Sequence, residues 1–298
     1  MQTPQYIKWH ELIEEHLLEL LPEIDQKSVT LYDSMSYSLM AGGKRLRPIL
    51  LLAACEFSGG DENSAIPYAC ALECIHTYSL IHDDLPSMDN DTLRRGRPTN
   101  HMVFGESMAI LAGDGLLSSA FEIMFKDMLL YFDKPEKLNQ RIRAAYAIAK
   151  GAGCQGMIAG QVADIENEGK ICSKEMLDYI HLNKTAALIV SAVHAGAFLG
   201  SADNKMLSDL SCYAECMGLA FQVSDDILDI EGSAEEMGKN TGQDSSKSKS
   251  TFLSIYGMKE AKQCLKTLTQ KAIDIMEPYY DEAEFFINLA KELEVRTK

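Results

Sequence analysis

No C-x-x-C pair occurs among the eight cysteines of this 298-residue chain. Cys70/Cys74 and Cys212/Cys216 have the i,i+4 spacing a metal could use, yet no His-x-x-x-His or second thiolate pair completes a zinc set. Buried thiols in a reducing, cytosolic compartment are therefore the expectation. Positive charge is also scarce. A formal net charge of −16 argues against nucleic acid or an anionic membrane as a general partner. It leaves room for an anionic small molecule, because local basic patches or bound metal can reverse the field. The segment Met1–Glu15 has no signal-peptide core. The longest uncharged run, Thr185–Ala202, is interrupted by Ser191, His194, Gly196 and Gly200, which favours an interior helix over a membrane span. Alternating strand-like segments, repeats of fixed period and any Ser/His/Asp or Cys/His set are missing as well.

What is present is helical. With 46% hydrophobic residues the chain can bury a sizeable core and is not disordered for most of its length. Apolar residues recur at three- and four-residue spacing through 12–21, 46–57, 66–80, 108–130, 142–158, 176–199 and 206–228. Breaks fall at Pro22, Gly42-Gly43, Gly59-Gly60, Gly96–Pro98, Lys134-Pro135 and Gly200–Asn204. No boundary separates two cores, so residues 1–298 are expected to form a single all-α domain.

Two acidic clusters stand out: Asp83-Asp84-Leu85-Pro86-Ser87-Met88-Asp89 and Asp225-Asp226-Ile227-Leu228-Asp229. Adjacent carboxylates repel, and each cluster follows largely apolar sequence, so a compensating cation is expected. At about 100° per residue, Gln222, Asp225, Asp226 and Asp229 share an arc of roughly 100° on one helix face. Phe221, Val223, Ile227, Leu228 and Ile230 surround that stripe, which disfavours a solvated surface. In the first cluster Asp83 and Asp89 would lie about 120° apart on an ideal helix. Pro86 disfavours helix at Leu85, so the helix should distort near Asp84 and swing Asp89 back toward Asp83. Hard carboxylate oxygens of this kind suit Mg²⁺, which holds such sites loosely and recruits substrate phosphates. A phosphorylated substrate follows.

Basic groups lie nearby. Arg94-Arg95-Gly96-Arg97 follows the first cluster, and Gly42-Gly43-Lys44-Arg45-Leu46-Arg47-Pro48 sets three cations at a helix start. Free N–H groups there, with Lys44 and Arg47, would grip a diphosphate. Two basic and two acidic clusters suggest two anions, one held through metal and one directly. His76, seven residues before Asp83, is either structural or functional on spacing alone. Lys184-Thr185, at the mouth of an apolar helix, equally could snorkel or bind. The stretch Gly238–Ser250, carrying Lys239, Lys247 and Lys249, is a linker or, better, a basic lid over phosphate.

With these residues in view, the chain resembles the short-chain trans-prenyl diphosphate synthases, most of all the bacterial farnesyl-forming ones. The resemblance runs from Asp33 to Phe252 through Gly42–Pro48, His76–Pro98, Gly156–Asp164, Lys184–Leu188, Phe221–Asp229 and Gly238–Phe252. It implies an isoprenoid-synthase type I helical bundle around a deep central cavity, a homodimer, and head-to-tail 1'-4 condensation. Three Mg²⁺ ions would bridge an allylic diphosphate, dimethylallyl or geranyl, to Asp83, Asp84 and Asp89 on one wall and Asp225, Asp226 and Asp229 on the other. Arg94, Lys184, Thr185, Gln222 and Lys239 would bind that diphosphate, with Lys184, Gln222 and Arg94 serving its ionisation. Lys44, Arg47, His76 and Arg95 would hold isopentenyl diphosphate. Asn240, Gln243 and Phe252 depart from common residues of the family.

Tyr78, five residues before Asp83, falls where the family places its pocket floor, next to Ser79. An aromatic there implies a product that stops at fifteen carbons, although a plain core tyrosine has the same spacing. Rivals are a geranylgeranyl synthase, a class I terpene cyclase and a non-catalytic synthase subunit. The second D-D-x-x-D and the Lys44/Arg47/His76 group speak against the cyclase, and two intact clusters against the subunit.

Overall fold

Helices end where the sequence can no longer supply donors or φ values, and the breaks expected from glycine and proline set the order of the bundle. The structure, a computed structural model, describes residues 3–23, 25–170, 172–231 and 251–296. Helix α1 (Pro4–Glu19) starts with Thr3 accepting from the Tyr6 N–H. It is followed by α2 (Val29–Leu39), α3 (Leu46–Phe57) and α4 (Glu62–Asp83), then α5 (Asn100–Phe104), α6 (Glu106–Leu129) and α7 (Pro135–Ala152). Next come α8 (Met157–Asn167), α9 (Lys174–Ile180), a π-helical turn over His181–Ala186, α10 (Ala187–Gly200) and α11 (Asn204–Glu231). The chain closes with α12 (Phe252–Tyr256), α13 (Met258–Met276), a 3-10 turn over Glu277–Ala283 and α14 (Glu284–Glu294).

Helix α4 is the axis. Its buried residues, among them Ala65, Ala69, Cys70, Leu72, Cys74 and Ile75, lie all round it rather than on one stripe. A helix apolar on every side must be enclosed, and α1, α2, α3, α6, α7 and α10 all pack against it. One contiguous core runs from Tyr6 to Leu293. Helix α6 and the stretch 174–200 are long and apolar enough to cross a membrane by length and composition. Both pack into the bundle, α10 against α3, α7 and α11, in keeping with the interior helix expected over Thr185–Ala202. All eight cysteines are free; Cys55 of α3 and Cys70 and Cys74 of α4 are buried, as are Cys172 and Cys216, whereas Cys154 and Cys212 are exposed.

Three details depart from the sequence reading. The apolar period over 142–158 spans two helices, because the chain turns at 153–156 between α7 and α8. Helices α13 and α14 lie beyond 206–228, the last stretch in which the apolar period was read. A two-stranded hairpin pairs Leu93 with Pro98 and Arg94 with Arg97. Its turn residues, Arg95 (φ 52°) and Gly96 (φ 72°), both adopt the left-handed conformation that a tight two-residue hairpin needs. Strands of two residues are too short for alternation to show.

The start of α3 is held from inside. Arg45 takes a left-handed conformation (φ 47°, ψ 32°), and its guanidinium is buried. It donates to Glu14 of α1 (2.6 Å), Glu73 of α4 (2.7 Å) and the Leu39 carbonyl at the end of α2 (2.6 Å). Of the three cations grouped in the sequence, this one is structural. Removing a partner from a buried ion pair strands the other charge, a loss of about 3–5 kcal/mol. Glu73→Ala is therefore expected to lower the unfolding free energy measured by chemical denaturation by that order, whereas Lys44→Ala, at an exposed position, leaves it nearly unchanged.

Candidate active site

Helix α4 delivers its last turn, with Asp83, to the head of the bundle and then ends, with Asp84 as its C-cap. The excursion forced by Pro86 closes on itself: the Asp89 N–H donates to the Asp83 carbonyl (2.8 Å) and the Asn90 N–H to the Leu85 carbonyl (3.0 Å). Asp89 is thus returned to Asp83, as the proline spacing predicts, though by ending the helix rather than bending it. The hairpin then carries Arg94 to Asp84, to which Nε and Nη2 donate over 2.6–2.9 Å. Burial raises the Asp84 carboxyl above its usual range, and the Arg94 guanidinium opposes the shift.

Asp83 is the more exposed to its neighbours' charge. Burial, then the charges of Asp89 and Asp84, push its carboxyl up to about 6, with Lys184 and Arg94 pulling the other way. Gln161 of α8 donates to it (2.9 Å). One turn further along α8, Asp164 pairs with the Lys184 ammonium at 2.6 Å. Lys184 and Thr185 sit in the π-helical turn between α9 and α10, and such turns often mark functional sites. Gly160 allows the approach, since a Cβ there would collide with the Lys184 backbone.

The second cluster occupies the last turns of α11. Thr185 Oγ1 donates to Gln222 Oε1 (2.8 Å), and Gln222 Nε2 donates to Asp226 Oδ1 (2.8 Å). The Phe252 N–H at the start of α12 donates to the other Asp226 oxygen (2.7 Å). Asp226 is buried, Asp229 half-buried and Asp225 exposed, so the stripe looks partly inward and partly to solvent. Arg296 donates to Asp225 (2.7 Å). Within the π-helical turn, Lys184 therefore acts electrostatically on Asp83, and the next residue, Thr185, reaches the second cluster through Gln222.

Beside the first cluster lies a cavity of about 350 Å³ whose lining includes Arg47, His76, Tyr78, Asp83, Lys184 and Thr185. Its apolar wall is formed by Met157, Ile158, Val162 and Ile165 of α8, with Met88 opposite. Ile158, Val162 and Ile165 are each more than two-fifths exposed, which is costly unless an apolar ligand covers them. A cleft of about 770 Å³ between α1, α3 and α14 is roomier, but it carries none of the motif residues.

The basic groups divide by surroundings. Arg47 has its Nε buried without a hydrogen-bond partner, and Nη1 lies 3.4 Å from His76 Nε2. Burial lowers the Arg47 pKa, with Glu73 and Asp225 opposing. His76 is held neutral, its pKa far below the usual value through burial and then the charges of Arg47, Arg95, Arg94 and Arg45. Arg95 donates to the Gly42 carbonyl. Lys44 is exposed, and its carbonyl accepts from the Tyr6 hydroxyl. Tyr78 is buried at the cavity, with Ser79 beside it donating to the His76 carbonyl (2.8 Å). Lys239 and the lid expected over 238–250 lie outside the described residues.

Carboxylate oxygens are the donors Mg²⁺ prefers, and Asp83, half-buried with two further carboxylates acting on it, is suited to such a cation. Among the described residues no three His, Cys, Asp or Glu side chains form a ready metal cage, so a cation held here needs ligands from elsewhere. Sequence reasoning did not single out Gln161, Asp164 or Arg296. Gln161 and Asp164 stand one turn apart on an otherwise apolar helix face, a signal that was readable; Arg296 carries none.

Comparison with known proteins agrees with this arrangement. The sequence model described as Polyprenyl synthetase matches residues 28–283. The farnesyl diphosphate synthase of Geobacillus stearothermophilus is 53% identical over 230 residues, 76% of either chain. A chloroplastic geranylgeranyl pyrophosphate synthase of Capsicum annuum is 44% identical over 278 residues, 93% of this chain and 72% of that one. A Helicobacter pylori geranyltransferase, solved with magnesium and isoprenyl diphosphate, superposes with a TM-score of 0.84 at 30% identity over 98% of each chain. With the helical bundle, the paired acidic clusters and these relatives in agreement, the chain belongs to the polyprenyl synthetase family and is a prenyltransferase, a trans-prenyl diphosphate synthase.

Proposed function

We propose that the chain is a cytoplasmic, single-domain farnesyl diphosphate synthase that joins isopentenyl diphosphate to dimethylallyl and then geranyl diphosphate. The observation that carries this is one cavity lined by half-buried Asp83, by apolar residues of α8 and by Tyr78. Asp83, Asp84 and Asp89 on one side and Asp225, Asp226 and Asp229 on the other would hold Mg²⁺, three ions per site. Bound there, Mg²⁺ supplies charge neutralisation for the departing diphosphate.

The chain's own groups do the rest. Lys184 faces the first cluster and, with Arg94 and Gln222, is placed to bind the allylic diphosphate and stabilise it as the C–O bond breaks. Thr185 orients Gln222 through their hydrogen bond. Arg47, Lys44 and Arg95 bind the diphosphate of the second substrate. His76, being neutral, adds a hydrogen bond without repelling Arg47. The C3–C4 alkene of isopentenyl diphosphate attacks the allylic cation, and the leaving diphosphate takes the proton from the product cation. No side chain is needed as general base. Ile158, Val162 and Ile165 keep water from the cation.

A homodimer is supported by the apolar surface of α6 and the segment after it. Phe125, Leu129, Leu130 and Phe132 are exposed, Leu129 and Phe132 at 71% and 80%. Patches of this kind on a folded chain mark contact surfaces. A geranylgeranyl product is the second reading, favoured by the Capsicum annuum relative; Tyr78 favours the shorter one.

Mass spectrometry of products from isopentenyl diphosphate, Mg²⁺ and dimethylallyl or geranyl diphosphate should show farnesyl diphosphate; no condensation would reject the enzyme reading. Asp83→Ala and Asp225→Ala are each expected to cut kcat by at least about a hundredfold, the usual scale for losing an electrostatic contact in the transition state, with circular dichroism unchanged. Tyr78→Ala should add geranylgeranyl diphosphate to the products. Leu129→Glu should convert a dimer to a monomer in size-exclusion chromatography with light scattering, and a variant that remains dimeric would exclude α6 as the contact.

A further inference from the structure

Tyr78 does not stand alone in the cavity lining. His82 lies one turn along α4, and the two rings meet edge to face, with centroids 5.7 Å apart and planes at 78°. Both side chains line the cavity. The other side of the imidazole rests on α6. Its Nε2 is 3.1 Å from the Ile110 carbonyl oxygen, and since a carbonyl only accepts, Nε2 carries the proton. The imidazole also sits directly on Gly113, where a Cβ would come closer to Nε2, Cδ2 and Cε1 than real Cβ atoms ever do. Gly113 is in the middle of α6, with no turn that calls for glycine. Glycine weakens a helix interior, so its presence there answers to the close approach of the imidazole.

We propose that His82, seated on Ile110 and Gly113 of α6, is a further product-length residue, a strut that holds the Tyr78 ring across the end of the prenyl cavity. The proposal rests on the reading of Tyr78 as the cavity floor. It makes chain length a property of the α4–α6 contact rather than of one aromatic residue. The two partners of the strut should act in opposite directions. Without the imidazole, Tyr78 loses its support and the cavity deepens. With a methyl group at position 113, the imidazole is driven toward Tyr78 and the cavity narrows.

The test compares the geranyl, farnesyl and geranylgeranyl diphosphate shares made by the full-length enzyme. His82→Ala should raise the geranylgeranyl share at least about tenfold, the lower end of what one methylene decides in an apolar pocket. Gly113→Ala should raise the geranyl-to-farnesyl ratio by a similar factor. The double variant should match His82→Ala, because the colliding ring is gone and the two changes are not independent. His82→Gln, which can still donate to the Ile110 carbonyl, should keep farnesyl as the main product and decides the matter if Gly113→Ala does not fold. If Tyr78→Ala lengthens the product while the His82 variants match the parent, the strut is overturned and the floor stands. If Tyr78→Ala leaves the product unchanged, the floor itself falls and the strut with it. A Gly113→Ala shift that persists without His82 would also overturn the proposal.

Discussion

A buried guanidinium has to be surrounded by acceptors, and Arg45 obtains them from three helices at once. Glu14, Glu73 and the Leu39 carbonyl converge on it, which sets α1, the end of α2 and α4 around the first turn of α3. Its left-handed backbone turns the side chain inward, and Arg47, two residues on, lines the cavity. The position of Arg47 beside His76 on α4 follows from that arrangement. A charge too costly to leave unpaired thereby fixes the geometry of charges that are meant to be left for a ligand.

The acidic clusters use repulsion in the same way. Asp83 is half-buried, and loss of solvent first, then the charges of Asp89 and Asp84, push its carboxyl up. Arg94 satisfies Asp84 completely, whereas Asp83 has one amide donor and a lysine at longer range. The π-helical turn then links the two walls, because Lys184 pairs with Asp164 and acts on Asp83 while Thr185 reaches Asp226 through Gln222. The short α8 serves both parts of the substrate: polar Gln161 and Asp164 toward the head, apolar Ile158, Val162 and Ile165 toward the tail.

Legibility followed the range of the interaction. Helix α3 has the limits its apolar period indicates, and the ends of α4 and α6 fall close to theirs, because those faces are buried along their whole length. The separation of α7 from α8 was hidden, since Ile148, Ala152 and Met157 continue one apolar period across a turn of four residues. The hairpin at 93–98 is too short for any periodicity. The separate fate of Arg45 was hidden too: three basic residues in one run look alike until a fold decides which one faces inward.

The sequence by itself determined the chemistry: two carboxylate clusters, two basic groups and an aromatic residue five positions before the first aspartate, all short-range patterns in which spacing implies a shared face. The return of Asp89 to Asp83 was also local, since proline's missing donor acts within a few residues. Only the tertiary structure decided which groups meet. Gln161 on Asp83, Asp164 on Lys184, Phe252 on Asp226 and Gly113 beneath His82 each join separate elements, and such contacts depend on how whole helices pack rather than on any residue's own preference.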